Sequence, residues 1–158
     1  MNDIIDLPMV EKTSGERFCT VKDVIIDSKE NRVYALVCKE SLIKRSKEAI
    51  PYSSVISLSQ NYVLITRKDS AVIHREIWYR NRHCMSYEFI IGKLVINSRG
   101  EILGIIRDLL IDAESGAIKA YELSEGYIDD IVKGRRIIEL DKNCSFTEHS
   151  MVIKENSG

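Results

Sequence analysis

Four aspartates stand where this sequence could support acid–base or metal chemistry. Asp23 and Asp27 lie four residues apart in VKDVIID, and Asp108 and Asp112 repeat that spacing in IRDLLID. Alternate residues of a β-strand share a face, so each pair would project to one side, as two cooperating carboxylates must. The alternative is structural, because an aspartate at a turn accepts hydrogen bonds from backbone amides. We favour the structural role and predict no catalytic residue.

A second candidate is the stretch REIWYRNRH, in which arginines alternate with aromatic side chains. Single-stranded nucleic acid is bound by this combination, because bases stack on the rings and phosphates contact the cations. Residues 39–82 are basic overall, with 9 Lys and Arg against 4 Asp and Glu. We favour a linker between two domains, with the arginines in solvent, because a basic stretch is necessary but not sufficient for nucleic-acid binding, so RNA binding is our second hypothesis. Its predicted contacts are Arg75, Trp78, Tyr79, Arg80 and Arg82.

Cysteine and histidine spacing argues against a metal or thiol site. The cysteines are Cys19, Cys38, Cys84 and Cys144, and none forms a CxxC pair. His83 adjoins Cys84, but adjacent residues of an extended chain point to opposite sides and do not readily share one metal ion. No glycine-rich phosphate loop is present. We predict no metal, no cofactor and no enzymatic activity, and we interpret the cysteines as small apolar residues in a reducing compartment.

Composition indicates a globular chain that is not inserted in a membrane. Of 158 residues, 44% are hydrophobic and 30% are charged, and no apolar run reaches the roughly 20 residues that a membrane span needs. The start, MNDIIDLPMV, has acids where an export signal would be basic, so we expect a cytoplasmic protein. Residues 1–84 hold 14 Lys and Arg against 11 Asp and Glu, whereas residues 85–158 hold 9 against 13. This uneven charge would suit a homodimer, or attraction within one chain.

An internal repeat organises the chain. GERFCTVKDVIID at residues 15–27 matches GEILGIIRDLLID at residues 100–112, an offset of 85. Beyond Ala35 the best offset becomes 88, which places three more residues in the second copy within SEGYIDDIVKGR. The aligned pairs include Val10 with Val95, Gly15 with Gly100, Ile50 with Ile138, and Val63 with Met151.

Each copy is predicted to be a small β unit. Short apolar alternations are separated by turn residues, and few segments have helical periodicity, which indicates an all-β fold. Closing so small a sheet into a barrel would remove its exposed edges. Single helical turns are predicted at 2–7 and 87–92. The predicted strands are 8–10, 17–26, 33–38, 50–58 and 62–66 in the first copy, and 93–96, 102–111, 118–123, 137–140 and 151–154 in the second.

One turn shape should recur in both copies. The first turn runs from Asp27 to Asn31 and the second from Asp112 to Gly116. Asn and Gly are the residues that best tolerate the left-handed backbone conformation, so their equivalence predicts the same turn.

The run G-x-x-V…G-E-x-x-x-x-V-K-D-V-I-I-D resembles the PRC-barrel, a β-barrel found in the H subunit of the photosynthetic reaction centre and in a ribosome-maturation factor. The tandem arrangement is similar to two-barrel proteins of spore-forming Gram-positive bacteria. The first copy departs from the family pattern at Leu7, Cys19 and Asn31, where the family prefers glycine. The motif residues are Gly15, Asp23 and Asp27 in the first copy and Gly92, Gly100, Gly104, Asp108, Asp112 and Gly116 in the second.

The resemblance implies two small PRC-type β-barrels in tandem, with residues 1–66 as the first barrel, 67–86 as a linker and 87–158 as the second barrel. Fold membership alone implies no activity. Our first hypothesis is a non-enzymatic interaction protein that binds a protein partner or a second copy of itself. The second, by analogy with the maturation factor, is an RNA- or ribosome-associated factor.

Overall fold

Alternating apolar residues and short polar turns fold the described part of this chain mainly into β-strands. The computed structural model describes residues 1–38, 48–66, 73–74, 80–125, 136–139 and 144–154. Unit 1 comprises residues 1–88 together with 112–117, and unit 2 comprises residues 89–111 and 118–158. The predicted all-β class is confirmed. Among the described residues, no helix has the length and apolar composition that crossing a membrane requires.

Among its described residues, unit 1 contains eight strands in one sheet. Short 3-10 helices, Asn2–Ile4 and Tyr52–Ser54, precede the first strand and interrupt the predicted strand 50–58. The strands are β1 (Pro8–Glu11), β2 (Arg17–Asp27), β3 (Arg32–Cys38), β4 (Glu48–Pro51), β5 (Val55–Leu58), β6 (Val63–Ile65), β7 (Ile73–His74) and β8 (Cys84–Ser86).

The sheet of unit 1 follows the order β5-β6-β1-β2-β3-β4-β7. All pairs are antiparallel except β1 with β6, which is parallel. β1 pairs only with the first half of β2, and β8 pairs with the second half, at Ile25–Asp27. Segments predicted as linker, 73–74 and 84–86, therefore supply strands that cover edges which would otherwise be exposed.

Unit 2 repeats this plan with six described strands, in the order β12-β11-β10-β9-β14-β13. As in unit 1, the first strand of this unit pairs in parallel with a strand that comes much later in the chain. Helix α1 (Tyr87–Ile90) lies within the predicted helical turn 87–92. The strands are β9 (Leu94–Asn97), β10 (Ile102–Ile111), β11 (Ile118–Ser124), β12 (Arg136–Glu139), β13 (Cys144–Phe146) and β14 (Ser150–Ile153). The predicted three-residue insertion lies mostly outside the described residues.

The long strand of each unit has the same irregularities. The pairing of β2 with β3 shifts register between Val21 and Asp23 and again between Ile25 and Ile26, and the pairing of β10 with β11 shifts at the positions 85 residues later. The left-handed turn residues also coincide, with φ of 51° at Asn31 and 73° at Gly116. Because a bulge changes the register of the residues around it, irregularities at equivalent positions mean that the two copies repeat in backbone geometry as well as in sequence. Equivalent positions include Cys19 with Gly104, Cys38 with Leu123, Leu36 with Tyr121, Ile50 with Ile138, and Val63 with Met151.

The predicted equivalence of Val10 with Val95 is wrong by one residue. Met9 pairs with Val63 as Val95 pairs with Met151, and both Met9 and Val95 are fully buried. The first turn, closed by the Glu16 carbonyl accepting from the Glu11 amide, is one residue longer than its counterpart, so β1 is offset by 86. A one-residue slip turns every side chain to the other face of the sheet.

The offset of 86 also changes which residue of the first copy departs from the family pattern. Asp6 and Gly92, at the entry to the first strand of each unit, form matching backbone hydrogen bonds to the long strand. Both have positive φ, 69° and 86°. The position where the pattern prefers glycine is therefore occupied by Asp6 in the first copy, rather than by Leu7.

Candidate functional site

The turn aspartates bind backbone amides. The Asp27 carboxylate accepts from the amides of Lys29 and Glu30 at 2.9 and 3.0 Å. In the equivalent turn, Asp112 accepts from the Glu114 amide at 3.1 Å and from the Ser115 hydroxyl at 2.8 Å. These are the bonds by which an aspartate stabilises a turn.

The strand aspartates stand at the bulges. Asp23 accepts from the Val24 amide at 2.8 Å, and Asp108 accepts from the Leu109 amide at 2.7 Å. A bulge interrupts the ladder of backbone hydrogen bonds, and an adjacent carboxylate can accept an amide there. Burial raises the pKa of Asp23, and the Val24 and Glu88 amides partly oppose that rise.

Asp23 and Asp27 stand at different places along β2. Asp23 pairs with Val37 beside the first irregularity, whereas Asp27 pairs with Arg32 at the entrance of the turn. The extra residue opposite Ile25 and Ile26 is Tyr34 of β3, so β2 itself carries no inserted residue between the two aspartates. Their common face, and any chemistry that would use it, stays a prediction.

The predicted nucleic-acid residues are only partly described. Arg75, Trp78 and Tyr79 lie outside the described residues, whereas Arg80 and Arg82 are exposed before β8. RNA contact by this stretch stays a prediction.

Cys84 belongs to unit 1, whereas Cys144 and His149 belong to unit 2. Burial and the nearby Asp27 charge raise the pKa of Cys84 to about 11. His149 is exposed, and its Nε2 lies 3.9 Å from a Glu148 carboxylate oxygen. Cys144, predicted to lie in a loop, begins β13. Within the described ranges, no group of three or more His, Cys, Asp or Glu side chains is placed to hold a metal ion.

A cavity of about 440 Å³ opens in unit 1, and no sequence motif indicated it. Tyr52 forms part of its wall and donates from its hydroxyl to the Ala113 carbonyl at 2.7 Å. Arg32, also in the wall, donates to the Ser115 carbonyl at 2.9 Å. The polar groups of both side chains thus contact the turn 112–117 of the same unit. The cavity is lined by Asp27, Glu30, Arg32, Val33, Tyr34, Pro51, Tyr52 and Ser53.

Unit 2 carries apolar side chains on the outer face of three adjacent strands. Ile96 of β9 pairs with Ile102 on one side and with Val152 on the other, and Leu94 pairs with Ile105. The residues between them on β9, Val95 and Asn97, point inward and are buried. Ile102 is 66% exposed and Leu94 is 37% exposed. We call this surface the apolar face, and its residues are Leu94, Ile96, Ile102, Ile105 and Val152.

The apolar face is unusual for an antiparallel strand pair. A half-buried sheet normally alternates apolar inward and polar outward residues. Contiguous exposed apolar residues mark surfaces that another molecule covers. The sequence signal for this face is the presence of apolar residues on both sides of the alternation in the long strand, ILGIIRDLLI.

Comparison with known proteins agrees with the tandem architecture. The chain is similar to "Uncharacterized protein YrrD" of Bacillus subtilis (strain 168), with 21% identity over 138 residues that cover 87% of this chain and 76% of that protein. The family profile described as "PRC-barrel domain" matches twice, at residues 1–72 and 85–158. Together with the two repeated β units, these matches show that the chain belongs to the PRC-barrel family and carries two copies of its domain.

Proposed function

We propose that this chain is a non-enzymatic adaptor whose second PRC barrel binds a protein partner through the apolar face. The observation that carries the proposal is the cluster of outward apolar side chains on β9, β10 and β14. Apolar centres surrounded by polar rims are the common anatomy of protein interfaces.

The free energy that would be gained by burying the apolar face is large enough for a binding surface. Burying one large aliphatic side chain contributes about 1.5–3 kcal/mol, and Ile102 is still 66% exposed in the isolated chain. A partner that covered Ile102 together with Leu94 and its paired neighbours would gain several such contributions. Only the part that exceeds the loss of translational and rotational freedom appears as affinity.

The motif carboxylates support an adaptor over an enzyme. Asp23, Asp27, Asp108 and Asp112 each accept a hydrogen bond from a backbone amide. Through these bonds the carboxylates hold turns and bulges in shape. Such a structural role is what we expect of a domain that presents a surface to a partner.

The test compares Ile102→Lys with Ile56→Lys. Ile56 is a matched control, because it is 43% exposed on β5 in unit 1 and is not one of the residues of the apolar face. The immobilised wild-type chain and both variants would be exposed to lysate of a spore-forming bacterium, with and without nuclease and at low and high salt. Their oligomeric state would be measured by light scattering. Circular dichroism would establish that both variants fold.

We expect one protein, or a second copy of the chain, to bind wild type and Ile56→Lys and to be lost with Ile102→Lys. Equal binding by both variants would contradict the assignment of the apolar face. Material that is retained only without nuclease, and that is lost at high salt, would favour the RNA hypothesis and direct mutation to Arg80 and Arg82.

A further inference from the structure

Two cysteines that are far apart in sequence meet in unit 1. Cys19 lies on β2, and Cys38 is the last residue of β3. The Cys19 thiol donates to the sulfur of Cys38, and the two Sγ atoms are 2.6 Å apart. In a disulfide the sulfur atoms are about 2.05 Å apart, so forming the bond needs a displacement of about half an ångström.

The fold itself brings these two strand positions together. Cys38 pairs with Val21, and Cys19 is the diagonal neighbour on the same face of β2. Unit 2 has Gly104 and Leu123 at the equivalent positions. A Cβ built on Gly104 lies 3.2 Å from the Leu123 Cβ, slightly closer than the roughly 3.5–4.5 Å between the Cβ atoms of a disulfide. The close approach is thus a property of the barrel, and only the first copy places two thiols there.

We propose that Cys19 and Cys38 form a reversible thiol–disulfide exchange site whose substrate is a low-molecular-weight disulfide. The site is independent of the adaptor role, because it lies in unit 1 and uses none of the apolar face. It needs no CxxC motif, since strand pairing brings the two thiols together.

The exchange proceeds in two displacements. The Cys19 thiolate attacks one sulfur of the small disulfide, whose S–S bond breaks to give a mixed disulfide and one small thiolate. The Cys38 thiolate then attacks Cys19 Sγ, which releases the second small thiolate and closes the protein disulfide. The protein dithiol loses two electrons, the small disulfide gains them, and the two protons pass to the departing thiolates.

Accessibility assigns the order of attack. Cys19 is partly exposed, whereas Cys38 is only 6% exposed, so the incoming disulfide reaches Cys19 first. Burial raises the pKa of both Cys84 and Cys144, which lowers their thiolate fraction and makes them slower competitors.

The test treats the reduced full-length chain with oxidised glutathione at about pH 8, where an ordinary thiol is partly ionised. The reaction is quenched with acid, and remaining thiols are alkylated with N-ethylmaleimide. We expect the intact mass to show loss of two hydrogen atoms without a glutathione adduct. Peptide mapping should show Cys19 joined to Cys38, with Cys84 and Cys144 alkylated. Dithiothreitol should reverse the change.

Two variants test the separate roles of Cys19, which attacks the small disulfide, and Cys38, which displaces the second small thiolate. Cys38→Ser should retain a stable glutathione adduct on Cys19, because no second thiol is present to displace it. Cys84→Ser, the matched control in the same unit, should cross-link as the wild type does. A glutathione adduct that persists on Cys19 of the wild type, a cross-link through Cys84, or alkylation of all four cysteines after treatment would overturn the proposal.

Discussion

The contact between Gly116 and Tyr52 supports a quantitative prediction about unit 1. Gly116 has φ of 73°, and a Cβ added there would lie 2.6 Å from Cδ1 of Tyr52, whose side chain is 5% exposed and hydrogen-bonded to Ala113. Gly15 has a similar φ of 69°, but an added Cβ would meet nothing within 4 Å. The two glycines therefore share the backbone requirement and differ in the steric one.

The expected losses in the free energy of unfolding follow from the backbone cost and the steric cost. A left-handed conformation costs an alanine about 1–2 kcal/mol, which is the whole expected cost of Gly15→Ala. Gly116→Ala should add about 1–3 kcal/mol of overpacking against the buried ring. We therefore expect losses in the free energy of unfolding of about 1–2 kcal/mol for Gly15→Ala and about 2–5 kcal/mol for Gly116→Ala.

The assay is urea unfolding followed by far-ultraviolet circular dichroism, with each glycine replaced in wild-type and Tyr52→Ala backgrounds. In the second background the ring is absent, so Gly116→Ala should cost no more than Gly15→Ala, and the cycle should give a coupling of about 1–3 kcal/mol. Equal losses for the two alanine variants in the wild-type background would refute the steric argument. So would a coupling indistinguishable from zero.

Three further outcomes are expected. Because burial raises the pKa of Asp23 above 3.8, its stabilising contribution is complete below that value and is lost as pH rises through the raised pKa; urea unfolding of Asp23→Asn across this range should show a relative gain as pH rises. With a pKa of about 11, Cys84 should be alkylated by iodoacetamide at about pH 8 roughly a hundredfold more slowly in the folded than in the unfolded chain, as measured by peptide mass spectrometry. The Cys19–Cys38 disulfide should raise the free energy of unfolding by about 3 kcal/mol through loop closure, and reductant should abolish the difference between oxidised and reduced urea curves.

The strands and turns were predictable because their signals are local. Alternation and turn residues placed β2 within one residue of its ends, and placed β10 at its observed ends. The offset of β1 was missed because the identity of Val10 and Val95 suggested an alignment without a length difference in the first turn. The length of that turn is set by the hydrogen bond from the Glu11 amide to the Glu16 carbonyl, which the residue types alone do not reveal.

The surfaces and sites were less predictable because they depend on pairing between strands. The Cys19–Cys38 contact follows from the register of β2 with β3, and a search for closely spaced cysteines cannot find it. The side of the sheet on which Ile102 lies depends on the bulge before Gly104. The extra residue there, Leu103, reverses the alternation of faces along β10.

The parallel pairing within each unit has a consequence for the order of folding. Met9 of β1 binds beside Val63 of β6, and Val95 of β9 binds beside Met151 of β14. During synthesis, the opening strand of each barrel must remain without this neighbour until the closing strand has left the ribosome. Contacts so distant along the chain slow folding and prolong exposure of a strand edge to other nascent chains. The edge of the opening strand in each barrel therefore stays open to aggregation until its parallel partner, β6 or β14, has been synthesised.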